Sequence, residues 1–162
     1  MNKEGLGEHY LYPGNIFASE EPYLVTTVLG SCVSVCLWDS RKMVGGINHF
    51  MLPLWNGEGL ATPKFGNIAI TTLYDKMLSF GCRHSDLKAK IFGGGDVLAI
   101  KNSILNVGER NVIIAQDTMK KMKINVISSD VRGRRGRKLL FNTHTGTVLL
   151  KKLSKQVNDF KP

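Results

Sequence analysis

The chain has 162 residues, of which 43% are hydrophobic and 22% charged, a composition typical of a folded globular protein. This composition excludes a disordered or fibrous chain, and no apolar run approaches the ~18 residues that a membrane-spanning helix needs. The net charge of +9 is concentrated at one end, because residues 118–162 carry twelve basic and two acidic side chains whereas residues 1–117 carry ten basic and eleven acidic. A basic segment of this kind favours an acidic partner.

The first residues contain no apolar core of a secretory signal, and three cysteines are an odd number for a disulfide framework. The sequence therefore predicts a cytoplasmic protein with free thiols. Its length predicts that residues 1–162 form a single domain.

The predicted elements are mainly strands. β-Branched and aromatic residues, or apolar and polar alternation, predict strands at 23–29, 32–38, 43–50, 88–92, 124–128, 138–141 and 147–153. Residues 54–66, rich in Gly, Asn and Pro, predict a long loop. Apolar side chains at helical spacing predict one helix that ends before Gly81 and a second over about 109–123. The fold class is therefore α+β, with mostly antiparallel β-sheet layers and about two long helices packed on one face.

A cysteine and a histidine lie on the two strands that flank residues 39–42, a natural hairpin loop. If the hairpin is centred between residues 40 and 41, Cys32 lies directly opposite His49, with Cβ atoms ~5 Å apart. A histidine at this distance can withdraw the thiol proton and leave a nucleophile. The Cys32 backbone amide is a candidate oxyanion donor, and Thr26 and Thr27 are candidates to orient the imidazole ring.

Two other interpretations of these residues remain open at this point. Cys32 can be a buried cysteine with no chemical role, since free cysteine is among the most buried residue types. Cys32, Cys36 and His49 can also be read as a zinc site. Residues four apart in a strand are ~13 Å apart, however, which is too far to share one tetrahedral ion. We therefore predict no metal and no other cofactor.

The glycine run at 93–95 lacks the Lys and Ser/Thr of a phosphate-binding loop, so we predict a tight turn there and no nucleotide.

Several segments resemble one known family, in the family's order. They are TTVLGSCV (26–33), GGINHFMLP (45–53), GGG (93–95), NVGERNV (106–112), Gly133, GRK (136–138) and TG (145–146) followed by Val148. Together they resemble the chemoreceptor glutamine deamidases, the CheD family of bacterial chemotaxis, over roughly residues 10–153. Two positions depart from the family pattern: Asn48 stands where a small residue is more frequent, and Arg132 lies in a stretch that is commonly glycine-rich.

The resemblance implies an enzyme, a protein-glutamine glutaminase with a cysteine, a histidine and a threonine as its catalytic group. These match Cys32, His49 and Thr26, and Thr27 is the less favoured third member. Members of the family convert glutamines of methyl-accepting chemoreceptors to glutamates through a cysteine thioester, and some also cleave glutamyl methyl esters.

The resemblance also implies partners. These are the chemoreceptors as substrate and a CheC-type phosphatase, with no nucleic acid and no membrane insertion. On this reading the basic cluster at 132–138 docks on a receptor or regulator. The alternative function is a non-catalytic adaptor that docks on receptors or CheC, and the presence of Cys32, His49 and Thr26 counts against it.

Overall fold

The computed structural model describes residues 4–97 and 106–154. They form nine strands, two α-helices and one short 3-10 helix at His84–Asp86. The strands are β1 (Gly7–Tyr10), β2 (Ile16–Ser19), β3 (Tyr23–Leu29), β4 (Val33–Asp39), β5 (Val44–Asn48), β6 (Leu87–Gly93), β7 (Asn125–Val131), β8 (Arg137–Asn142) and β9 (Val148–Lys152), and the helices are α1 (Gly66–Ser79) and α2 (Val107–Met122).

The strands form two sheets. The first has the order β1-β3-β8-β9 and the second the order β2-β5-β4-β6-β7. Neighbouring strands are antiparallel except for the β1–β3 and β6–β7 pairs. The predicted α+β class with mostly antiparallel sheets is confirmed.

The second sheet is the central layer, because both of its faces are covered. Alternate β4 side chains, Val33, Val35 and Leu37, pack with Leu73 of α1 and Met119 of α2 in one hydrophobic core. The opposite face of this sheet packs against the first sheet in a second core, formed by Leu11, Val25, Leu29, Cys36, Ile47, Phe92, Leu139 and Phe141. Both helices therefore lie on one face, as predicted. Each large side chain fully buried in these cores contributes about 1.5–3 kcal/mol.

Local sequence explains where the helices begin and end. In α1, Ile70, Leu73 and Met77 form the predicted buried stripe, and Gly81 follows the helix with a φ of 87°. The Asn106 side chain caps α2 by accepting from the Glu109 N–H at 3.1 Å, and Lys123 ends this helix with a left-handed φ of 56°. Within the described residues, neither helix is long and apolar enough to span a membrane.

The β4–β5 hairpin differs from the prediction in its register. Cys36 pairs with Ile47 and Asp39 with Val44, so the turn is centred one residue later than expected and Cys32 is not directly opposite His49. The Asp39 carboxylate accepts from the N–H groups of Arg41 and Lys42, and Met43 adopts a left-handed φ of 58°. This turn chemistry shifts the pairing by two residues. A shift of two leaves the same side chains on the same face of the sheet.

Candidate active site

Cys32 lies in the turn that leads into β4 and is partly exposed. Its carbonyl oxygen accepts from the Gly94 N–H at 2.9 Å, and the Gly30 carbonyl accepts from the Gly95 N–H at 3.0 Å. Gly93 has a φ of 108°, and a side chain there would collide with the Cys32 carbonyl oxygen. The glycine run thus supports the backbone of Cys32, but the structure assigns no turn to residues 94–96, so the predicted tight turn is not found there.

His49 follows β5 and is only 1% exposed. Its Nδ1 lies 2.7 Å from the Thr27 hydroxyl oxygen, which in turn lies 2.7 Å from the Leu11 carbonyl oxygen. A hydroxyl has one proton, and the Leu11 carbonyl can only accept it, so Thr27 must accept from an Nδ1–H of His49. The Nε2 atom therefore carries a free electron pair, and it has no hydrogen-bond partner.

Burial lowers the pKa of His49 to about 4, so the ring is neutral at physiological pH. Burial also raises the pKa of the Cys32 thiol, against the opposing effect of the Cys32 backbone N–H. The resting site therefore combines a neutral thiol with a neutral imidazole rather than a thiolate–imidazolium pair. A neutral Nε2 is the form that can accept a proton.

The observed register defines how the two groups face each other. It extends to the Val33–Phe50 bridge, which places Ser34 opposite His49 and Cys32 at the diagonal position on the same face. Diagonal neighbours on paired strands are about 7–8 Å apart, and their Cβ atoms are somewhat closer. No hydrogen bond joins the thiol to the imidazole among the residues that the structure describes. Catalytic hydrogen bonds are often long before substrate binds. The separation of the thiol from the imidazole is therefore compatible with a histidine base that takes the thiol proton after the substrate has bound.

Thr27, and not Thr26, contacts His49. Side chains alternate along β3, so Val25, Thr27 and Leu29 face the inter-sheet core while Thr26 faces the outer side. There Thr26 lines a shallow groove of about 470 Å³ with residues that include Tyr10 and Lys138. The expected contact between Thr26 and His49 is therefore corrected in favour of Thr27. No sequence pattern identified Thr27, because Leu24 and Val28 beside Thr26 are as apolar as Val25 and Leu29 beside Thr27.

Buried polar atoms without a partner concentrate around this site. In the described part of the chain there are five such side-chain atoms, and four belong to residues on the Cys32 and His49 segments or in contact with them: Ser34 Oγ, Asn48 Nδ2, His49 Nε2 and Asn111 Oδ1. The fifth is Asp39 Oδ2. Buried polar groups are usually paired in folded proteins, so this concentration indicates a functional site.

Comparison with known proteins identifies one family. The family model described as CheD chemotactic sensory transduction matches residues 51–152. The chain belongs to the CheD family. It is similar to a probable chemoreceptor glutamine deamidase CheD of Trichlorobacter lovleyi, with 50% identity over 143 residues that cover 88% of this chain and 89% of that protein. A protein of the same name from Sulfurimonas denitrificans is 43% identical over 148 residues, or 90% of this chain and 94% of the relative.

The other CheD-like segments surround Cys32 and His49. In α2, Asn111 is fully buried, and its Nδ2 lies 3.0 Å from both the Ser31 and the Met51 carbonyl oxygens. The Asn48 side chain, on β5, accepts from the Val35 N–H at 2.8 Å. Sequence reasoning missed the contacts of Asn111, because they join parts of the chain that are 60 and 80 residues away from it.

The basic cluster at 132–138 is partly internal in this CheD protein. Arg137 is buried and donates to Asp130 at 2.8 Å and to the Arg132 carbonyl at 2.6 Å. Arg132, with a left-handed φ of 71°, forms a bidentate ion pair with Glu109 of α2. These two arginines hold the β7–β8 loop, whose Arg132 N–H donates to the Gly93 carbonyl of the glycine run at 2.9 Å. Docking on a receptor or regulator stays a prediction for the exposed members of the cluster.

The zinc interpretation finds no support in the side-chain positions. Within residues 4–97 and 106–154, no three His, Cys, Asp or Glu side chains are placed to hold a metal ion. Cys36 lies in the core between the sheets, and burial raises the pKa of its thiol.

The buried His49 ring makes the CheD fold sensitive to acid. The pKa of His49 is about 4 in the folded state, against ~6.5 for an unfolded chain, so the unfolded chain binds more protons between these pH values. The contribution to stability is complete above about pH 6.5 and is lost as the pH falls to about 4, by roughly 3 kcal/mol. Urea unfolding over this pH range should show a steeper loss for wild type than for His49→Gln. Equal slopes for the two proteins would contradict the lowered pKa.

Proposed function

We propose that this CheD protein hydrolyses the side-chain amides of particular chemoreceptor glutamines to glutamates. The observation that carries the proposal is the neutral His49 ring, held by Thr27 with its Nε2 free, on the same face as the Cys32 thiol. The relatives named as chemoreceptor glutamine deamidases supply the substrate class. A cysteine nucleophile and a histidine base suit amide hydrolysis, because the two groups divide one difficult step into two easier ones.

In the first half of the reaction, His49 Nε2 takes the proton of the Cys32 thiol, and Sγ forms a bond to the side-chain carbonyl carbon of the glutamine. The Cys32 N–H has no backbone acceptor among the described residues and interacts with its own thiol at rest, so it can donate to the oxyanion once the sulfur has bonded to the substrate. The His49 imidazolium then donates its proton to the amide nitrogen. The C–N bond breaks, ammonia leaves, and a thioester remains on Cys32.

In the second half, His49 Nε2 takes a proton from water, and the hydroxide oxygen bonds to the thioester carbonyl carbon. The C–S bond then breaks and the sulfur recovers the proton from His49, which releases glutamate and restores the neutral pair. Thr27 accepts the Nδ1–H bond throughout and stabilises the imidazolium when it forms.

The test of this function is mass spectrometry of chemoreceptor cytoplasmic fragments incubated with the protein in heavy-oxygen water. Conversion of specific glutamines to glutamates with one heavy oxygen, by wild type and not by Cys32→Ala, is the expected result. If folded wild-type protein converts no glutamine in any of several receptors, the deamidase proposal fails. Receptor binding without conversion would then favour the adaptor function.

A CheC-type phosphatase is the second proposed partner, and the cytoplasm, where these receptor fragments lie, is the proposed location. Support for the phosphatase comes from the family resemblance of residues 10–153. Retention of CheC from the same organism on immobilised protein is the expected result of a pull-down. Failure of purified CheC to bind at micromolar concentration would remove this partner.

The two adjacent threonines provide a matched pair for testing how His49 is held. Thr27→Val removes the hydroxyl that accepts from Nδ1–H with little change in volume, so we expect a loss of about tenfold to a hundredfold in kcat. Thr26→Val is the control, since Thr26 faces the outer side of the first sheet, and its kcat should stay within about twofold of wild type. Both rates follow from glutamate formation on the same receptor fragment. A larger loss in Thr26→Val than in Thr27→Val would overturn the assignment.

A further inference from the structure

Asn111 joins the two chain segments that carry the thiol and the imidazole. Its Nδ2 donates one hydrogen to the Ser31 carbonyl, directly before Cys32, and one to the Met51 carbonyl, two residues after His49, both at 3.0 Å. Two carbonyl acceptors on one side of the amide fix its orientation, because only the NH2 group can donate to both.

These contacts lie at the open end of the hairpin. The last backbone hydrogen bonds between the two segments join Val33 and Phe50, at 3.0 and 3.1 Å. Beyond this pair, the described backbone hydrogen bonds no longer join the segment of Cys32 to the segment of His49. At this point the Asn111 amide links the two segments by its hydrogen bonds to the Ser31 and Met51 carbonyls.

The bond to Ser31 also defines the direction of the Cys32 N–H. A trans peptide is planar, so its C=O and N–H groups point in opposite directions. By holding the Ser31 carbonyl, Asn111 holds the N–H of the same peptide unit, which belongs to Cys32 and is the proposed oxyanion donor. A carbonyl that accepts a hydrogen bond also makes the N–H of its own peptide a stronger donor.

Asn111 itself sits on a rigid support. It lies in α2, five residues after the capping residue Asn106, and the Glu109–Arg132 ion pair ties the first turn of this helix to the β7–β8 loop. Its Oδ1 is buried without a partner, which costs about 1–3 kcal/mol. A cost of this kind is typical of residues retained for function as well as for folding.

We propose that Asn111 is a positioning residue, which aims the Cys32 N–H at the oxyanion of the tetrahedral intermediate and fixes the Cys32 segment against the His49 segment. This inference rests on the function proposed above for Cys32. It is a role in the reaction beyond the cysteine, histidine and threonine.

Two small electrophiles separate positioning of the oxyanion donor from a general disturbance of the thiol. Acylation of Cys32 by p-nitrophenyl acetate passes through an oxyanion, whereas alkylation by iodoacetamide does not. In Asn111→Ala we expect the acylation rate of Cys32 to fall about a hundredfold and the alkylation rate by less than about threefold, because loss of an oxyanion donor costs 10²–10³ in rate. The modified peptide is identified by mass spectrometry, since Cys36 and Cys82 are also free thiols.

Asn142→Ala is the matched control. Asn142 is also buried, and its side chain accepts two backbone hydrogen bonds, from His144 and Thr145, but it pairs with Leu24 at the opposite end of β3 from the Cys32 turn. This variant should lose thermal stability comparably and keep both rates. Where Asn111→Ala does not fold, Asn111→Ser, which retains one donor, should show the same pattern with a smaller loss.

Equal losses in acylation and alkylation, or an unchanged acylation rate in a folded Asn111 variant, would overturn the proposal. Failure of wild type to acylate at Cys32 would overturn it as well. The acylation and alkylation rates are measured without a receptor. An absence of glutamine conversion in the receptor experiment would contradict the deamidase proposal and is therefore a separate result.

Discussion

Replacing Cys32 with alanine is expected to reduce glutamine conversion by at least about a thousandfold. The thiol is the only protein group in the proposed reaction that bonds to the carbonyl carbon of the substrate, and removal of a nucleophile abolishes the covalent pathway. Cys32→Ser should be nearly as inactive, because a hydroxyl is far less acidic than a thiol. Glutamate formation on a receptor fragment, followed by mass spectrometry, measures both variants.

Cys36→Ala is the control for this experiment. Cys36 is the other cysteine on this face of the β4 segment, four residues later, and it is buried in the core between the sheets. Its loss should lower thermal stability slightly and leave the rate per folded molecule within about twofold. Conversion by Cys32→Ala at more than a hundredth of the wild-type rate would identify another nucleophile.

Replacing His49 with alanine is expected to lower kcat by about 10²–10⁴, with KM little changed, because His49 transfers protons in both halves of the proposed reaction. The neutral thiol of the resting site needs this base, since burial raises the pKa of Cys32. In wild type, kcat/KM should fall as the pH drops towards 4, where the ring becomes protonated. The variant should lose this acid limb, and its residual rate should rise with pH as more thiolate forms.

His84→Ala serves as the control histidine variant, because His84 lies in the exposed 3-10 helix and contacts Tyr74. Its rate and pH profile should match those of wild type. If His49→Ala keeps more than about a tenth of the wild-type kcat, a different group supplies the base. An acid limb that persists in His49→Ala would lead to the same conclusion.

Local patterns in the sequence predicted most of the fold. Seven of the nine described strands and both helices lie where periodicity and turn residues indicated, because long amphipathic segments pack one face whatever their partners are. The edge strands β1 and β2 were missed, since each has only four residues and too few alternations to form a pattern. The order of the strands in the two sheets could not be predicted from the sequence, because it depends on pairing between strands that are distant in the chain.

The site was predicted in part, and the differences have separate physical causes. Cys32 and His49 lie on one face as expected, but the Asp39 turn and the left-handed Met43 shift their register by two residues. The resemblance favoured Thr26 over Thr27 beside His49, because a motif match does not show which of two adjacent side chains faces the ring. The contacts of Asn111 depend on how α2 packs over the hairpin, and nothing local in the sequence encodes that packing.

The neutral state of the resting thiol also determines what else this protein reacts with. Peroxides and other oxidants attack the thiolate, so a cysteine whose pKa is raised by burial is a poor target for them. In the proposed reaction, His49 generates the thiolate of Cys32 only as the sulfur attacks a carbonyl carbon. We therefore expect Cys32 to react with hydrogen peroxide more slowly than an exposed cysteine of ordinary pKa at the same pH.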